Sequence, residues 1–309
     1  MTPPELPTAI VDAHHHLWAL EGAHYPWLQE DYAPERFILG AYEPLCRDYR
    51  PADFRADWQG MPVVASVHVE AERDRGEALA ETQWLHQQHA AHGLPGAIVA
   101  WADLLAPDAD AQLAAQAAMP LVRGIRCKPA TAAAPGAALP AAGSLQDPRW
   151  PAALQRLAAH GLLWDLRVPY WHLEEAAALL AQVPPLTVVL EHTGLPWDRS
   201  ATGLASWRRG MAALAALPQV HVKISELGLR ERPWTEADNL PVMRETLDLF
   251  GWQRCLFGSN FPVARLRIGY AELVQATARA LAHLPAAARQ AVWHDNAMAV
   301  YRIARSAAA

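Results

Sequence analysis

The sequence predicts a single α/β domain over residues 1–309: one (β/α)8 barrel of TIM type with a long aromatic insertion after its first strand. Short apolar runs alternate with longer Ala/Leu-rich stretches of helical period, the pattern of strand–helix units repeated around a parallel sheet. The runs number eight, enough to close such a sheet on itself. No Gly/Ser linker or shift in composition divides the 309 residues, a length that one α/β barrel fills.

The first run, residues 9–16, reads AIVDAHHH. Three adjacent histidines can be a remnant of a purification tag, but Ile10, Val11, Leu17 and Trp18 bracket them, unlike the Gly/Ser setting of a tag. Alternation along a strand sends His14 and His16 to one face and His15 to the other, so two imidazoles converge on one point. The other runs are residues 62–70, 97–104, 121–128, 162–168, 186–192, 220–225 and 254–260. Helices are clearest in GEALAETQWLHQQHAAHG, PRWPAALQRLAAHG and GYAELVQATARALAHL, two of which end on glycine. Residues 19–60, rich in Tyr, Trp and Phe, are expected to cover the barrel mouth, and the Ala/Pro/Gly stretch 129–143 to form a strand-to-helix loop at the same face. Residues 1–8 read as a Pro-rich arm and residues 305–309 as a frayed tail.

A formal net charge of −6 offers no electrostatic reason to expect nucleic acid or an anionic membrane as partner. The opening MTPPELPTAI has no basic segment followed by an apolar one, and no stretch gives eighteen uninterrupted apolar residues, so the protein is expected to be soluble and unexported. Cys46, Cys127 and Cys255 are too widely spaced for a thiolate zinc site or a disulfide framework, which fits a reducing cytoplasm. The expected partner is a small-molecule substrate, and a homo-oligomer is compatible with the sequence.

In an α/β barrel the chemistry gathers at the C-terminal strand ends. Parity assigns the faces. If Val67 and Val69 pack against the helices, His68 and Glu70 turn inward. The apolar Leu121, Ile125 and Cys127 leave Arg126 and Lys128 inward; Trp164, Leu166 and Val168 leave Asp165 and Arg167; Val220, Val222 and Ile224 leave Lys223 and Ser225. In the sixth run Val188, Leu190 and His192 share a parity, and His192 is placed in the ring as the closing residue; Asn260 is taken as the inward end of the eighth. Burying so many polar groups without function costs several kcal/mol unless each finds a partner. Some of them can be structural: His68 a satisfied core histidine, Glu70 an ion-pair partner of Arg126 or Arg167, Lys223 an ion-pair member rather than a substrate contact.

Jointly, VDAHHHLWAL, SVHVEA, GIRCKPA, EHTGLP, VHVKISELG, CLFGSNFPV and HDNAMAVYRI resemble the amidohydrolase superfamily, in particular its branch of sugar lactonases and pyrone dicarboxylate lactonases. The resemblance implies a hydrolase with His14, His16 and His192 at the site, and one divalent metal, zinc or manganese, held there weakly or dispensably. Many relatives end strand eight in GSD, where this chain reads GSN with Asn260, and an amide cannot accept a proton from water near neutral pH. The fifth run also has no histidine in the superfamily's usual ligand position. Asp165, Glu70 and His68 are the expected substitute bases. Arg126, Arg167 and Lys223 are expected to hold an anionic part of the substrate, with His68 and Ser225 as further contacts. The implied reaction is water attack on a small lactone of a sugar acid or carboxylated compound. The alternatives are a non-catalytic sugar-acid-binding barrel disarmed at Asn260, an amide hydrolase, or a decarboxylase.

Overall fold

The structure, a computed structural model, describes residues 5–140, 142–183 and 186–304. The beginning of the expected arm and the expected frayed tail at 305–309 lie outside the described residues. Eight parallel strands follow one another in chain order: β1 (Ile10–His15), β2 (Val63–Val69), β3 (Ala97–Ala100), β4 (Val122–Ile125), β5 (Leu163–Leu166), β6 (Val188–Leu190), β7 (Val220–Ile224) and β8 (Cys255–Phe257). The ring closes where the chain leaving β8 meets the end of β1. There Asn260 N–H donates to the His14 carbonyl at 2.7 Å and His16 N–H to the Phe261 carbonyl at 2.8 Å.

The connection after β1 contains α1 (Pro26–Gln29) and α2 (Pro51–Asp57). The crossovers are α3 (Ala78–His92), α4 (Ala109–Ala117), α5 (Trp150–Ala159), α6 (Leu173–Leu180), α7 (Ala201–Ala215) and α8 (Glu236–Phe250), followed after β8 by α9 (Tyr270–Leu281), α10 (Ala286–Gln290) and α11 (Asn296–Val300). Local chemistry sets the ends: Ser200 and Thr235 accept backbone N–H groups at the starts of α7 and α8, and Gly93, at φ +72°, stops α3. No described helix is long and apolar enough to cross a membrane.

Two apolar layers result. An outer one joins Ile98, Trp164, Leu190, Val222 and Phe257 to the helices. An inner one, made by Val11, Val67, Val69, Val99, Leu163, Val189 and Leu256, fills the barrel below the site, with Tyr301 and Ile303 of the C-terminal segment packed into it.

The inner layer corrects the reading of β2. Val67 and Val69 face the barrel axis, so His68 points to the helices, where its Nε2 lies 3.9 Å from Glu81 of α3. Both faces of a strand in a parallel barrel are apolar, so valine parity alone cannot say which face is inside. On β4, β5 and β7 the charged residues break that symmetry, and Arg126, Asp165 and Lys223 do point inward. A register shift between Asp12 and His15 lets Val11 and Ala13 join the inner layer while His14 also turns in. His15 turns out and stacks on Phe54, with ring centroids 4.3 Å apart.

Candidate active site

A cavity of about 490 Å³ opens at the C-terminal ends of the strands. Its floor is His16, Arg126, Arg167, His192 and Asn260; the insertion after β1 walls it with Trp27, Phe37, Ile38 and Tyr42, and the loop after β2 adds Glu72, Arg73, Asp74 and Arg75. The insertion therefore covers the mouth as its composition suggested.

The imidazoles are neutral. Burial lowers His14 and His192 well below the ordinary histidine value and His16 to about 3, and the nearby Lys223, Arg167 and Arg126 charges push the same way. The proton positions follow from the partners. His16 Nδ1–H donates to the Val69 carbonyl at 2.7 Å, which leaves a lone pair on its Nε2. Lys223 Nζ, 3.3 Å from His14 Nδ1, donates to it, so His14 carries its proton on Nε2 and donates to His16 Nε2 at 3.3 Å. His192 Nδ1 pairs with the Ser225 hydroxyl at 2.8 Å.

Backbone strain marks the same rim. Glu72, His192, Thr193, Leu195, Glu226 and Asn260 all have φ between +42° and +58°, and such residues cost on the order of 1–3 kcal/mol each. His192 enters the site through this distortion. Strand parity points Val189 and Glu191 inward, so Glu191 is a site residue the sequence reading missed although the alternation marks it. It lies 3.8 Å from His14 Nδ1, 3.6 Å from His192 Nε2 and 3.4 Å from Arg126 Nη1. Glu226 was missed too. One residue past the inward Ser225, it meets Asn260 at the cavity floor with a φ of +42°, which no alternation encodes.

The three expected substitute bases do not line the cavity. His68 is behind the barrel. Glu70 stands behind Arg126, accepting from its Nε at 2.8 Å and from Arg75 Nη1 at 2.8 Å. Burial would raise its pKa, but Arg126 and Arg75 outweigh that and hold it well below the usual carboxylate range. Asp165 is sealed beneath the site between Lys223 and the Tyr301 hydroxyl, 3.0 Å away, and burial raises it to about 6. Lys223 is thus an ion-pair member under His14, and Ser225 reaches the site through His192.

The donor set suits a divalent ion. His14, Glu191 and His192 offer ligand atoms all within 4.8 Å of one another. Glu191 Oε1 is buried with no hydrogen-bond partner, and neutral imidazoles with a carboxylate are what zinc takes. The adjacent Lys223 and Arg126 charges oppose a dication and weaken the hold.

The family model for amidohydrolases matches residues 11–303. The chain is 34% identical over 297 residues to the uncharacterized protein y4mH of Sinorhizobium fredii, covering 96% of this chain and 99% of that one. It is 30% identical over 305 residues to L-fucono-1,5-lactonase of Burkholderia multivorans, covering 95% and 96%. A crystal structure of an amidohydrolase from Burkholderia multivorans with bound zinc superposes with a TM-score of 0.76 at 28% identity, covering 96% of this chain and all of that one. Barrel, histidine cluster and sequence agree, and the chain belongs to the amidohydrolase family of hydrolases.

Proposed function

We propose that the protein opens a small lactone bearing a carboxylate, yielding the hydroxy acid. Arg167 carries this reading. Its guanidinium lines the cavity beside His192 and Asn260 and, among the described residues, has neither an ion-pair nor a hydrogen-bond partner. An unpaired guanidinium at a site floor is matched by a carboxylate that accepts two parallel hydrogen bonds. Arg126, by contrast, is occupied by Glu70 and Glu191, and Lys128 by Glu72. The resemblance to lactonases supports an ester ring as the reacting group.

Water attack on the ring carbonyl builds charge on its oxygen, which has to be met by donors or a cation. One divalent ion held by His14, Glu191 and His192, with His16 beside them, would supply Lewis acidity there when bound. His192 is fixed by Ser225, His16 by Val69, and His14 by Lys223, so their rings present fixed edges to the substrate. The aromatic wall of Trp27, Phe37 and Tyr42 covers the ring and excludes bulk water.

A panel of carboxylated and neutral sugar lactones, followed by acid release with and without added zinc or manganese, tests the proposal. Carboxylated lactones should turn over. Arg167→Met should raise KM roughly ten- to a hundred-fold with kcat retained, the pattern of lost uniform binding. Stoichiometric binding of sugar acids with no turnover on any lactone would refute it in favour of a non-catalytic binding barrel.

A further inference from the structure

A carboxylate stands one side chain away from the end of strand eight. Asn260 Nδ2–H donates to Glu226 Oε2 at 2.5 Å, while Asn260 Oδ1 lies 3.1 Å from His16 Nε2 at the cavity floor. Glu226 Oε1 also accepts from Gly228 N–H at 3.2 Å, which fixes the carboxylate. We propose that Glu226 is a positioning residue of this site: it holds the Asn260 amide with Oδ1 turned into the cavity, so that the pair supplies a fixed acceptor at the cavity floor. The role assigned to the pair in turnover rests on the hydrolase reading above.

The argument is one of donors and acceptors. An ionised carboxylate can only accept, so it forces Nδ2 of Asn260 toward itself and Oδ1 toward His16. His16 Nε2 has a lone pair, because Nδ1 holds the proton against Val69. That lone pair already accepts from His14 Nε2–H at 3.3 Å, and an unconstrained amide would turn its N–H rather than its Oδ1 toward such an acceptor. The observed orientation, acceptor facing acceptor, is therefore imposed by Glu226. It leaves the Asn260 Oδ1 lone pairs turned into the cavity, where a water could donate a proton to them and aim its oxygen at a lactone carbonyl. An aspartate at 260 would bring two carboxylates to about the 2.5 Å of the present contact, where they must share a proton. Asn260 is the residue that Glu226 requires.

Protonating Glu226 removes the constraint, since its O–H can then donate to Asn260 Oδ1 and the amide can turn over. Burial raises Glu226 to about 7, against the lowering effects of the Asn260 and Gly228 hydrogen bonds and of Arg167 from the end of β5 and Arg267 from the segment after β8, the charged groups that face it. The productive orientation is thus present above about pH 7 and lost below it.

The chain has three asparagines, Asn239, Asn260 and Asn296, so 15N-asparagine labelling yields a side-chain spectrum that can be assigned by the signal missing in Asn260→Asp. In the wild type the Asn260 amide signal should shift with pH around 7 and in Glu226→Gln it should not. This readout requires no turnover, so it stands whether or not the lactonase reading does. In kinetics, Glu226→Gln should lower kcat about ten-fold or more with KM within two-fold and erase the acidic limb of the kcat profile. Asn260→Asp/Glu226→Gln, the pair with its polarity reversed, should recover a large part of that loss. A wild-type Asn260 signal flat from pH 5.5 to 8.5 overturns the proposal. So does an active wild type whose kcat and pH profile are the same in Glu226→Gln.

Discussion

Glu81→Gln should make the protein more stable, by an amount that grows with pH. Glu81 lies on α3 behind the barrel, 2% exposed, with Oε1 accepting from Ala71 N–H at 2.9 Å. Burial, aided by the Glu70 charge, raises its pKa to about 8. A folded-state pKa above the unfolded one means that the native protein keeps a proton the unfolded chain releases. Stability from this group is complete below about pH 4.5, falls as pH rises, and is fully lost above about pH 8. At about 1.4 kcal/mol per unit, the window corresponds to roughly 3–5 kcal/mol. Glutamine keeps the acceptor for Ala71 and has no charge to desolvate. In urea unfolding, wild type and Glu81→Gln should differ by no more than about 1 kcal/mol at pH 5, with the variant ahead by roughly 3–5 kcal/mol at pH 8.5. Parallel stability profiles across that range would refute the reasoning.

Three shorter expectations follow from the same geometry. His16→Ala should abolish turnover without unfolding the protein, whereas His15→Phe should leave kcat within about two-fold, because His15 stacks on Phe54 with both ring nitrogens unpartnered. Gly258→Ala would set a Cβ 2.9 Å from His14 Cβ and 3.2 Å from its backbone nitrogen, so it should displace His14 and reduce both kcat and zinc uptake measured by calorimetry. Arg126→Lys cannot reproduce the contacts to the Glu70 side chain, the Glu70 carbonyl and Glu191, and should cost roughly 2–4 kcal/mol in thermal or urea unfolding, more than it costs in KM.

The eight strands were legible because each is an apolar run between turn signals, and their order needed no more than the rule that neighbours in an α/β barrel are neighbours in sequence. Faces were legible where polar or charged residues interrupted the pattern, as His14 and His16 did on β1. Arg126, Asp165 and Lys223 marked the inner faces of β4, β5 and β7; β2 has valines on the axis and a histidine behind, and its apolar alternation reads equally well either way. Backbone exceptions were illegible in principle. His192 and Glu226 enter the site through positive φ, against the parity of their strands, and nothing in EHTG or SELG announces it. Nor does a sequence say which arginine is spent. Arg126 and Arg167 are alike as letters, and only packing shows the first locked between carboxylates and the second without a partner among the described residues.

That difference bears on which bond the site can break. Beneath the floor, Lys223 and Asp165 are sealed in the barrel, and Glu70 is committed to Arg126, so none of them can hand a proton to a leaving group. The acids that do line the cavity, Asp31, Glu72 and Asp74, come from the surrounding loops, and Glu72 is paired with Lys128. An amide needs its nitrogen protonated before it can leave, which demands a well-placed acid near neutral pH. A lactone's ring oxygen leaves as an alkoxide that a cation or a hydrogen-bond donor can stabilise, and it remains tethered to the product. Neutral imidazoles, a guanidinium without a partner among the described residues and an amide held by Glu226 meet the second demand better than the first, which supports the proposed ester opening over amide cleavage at this floor.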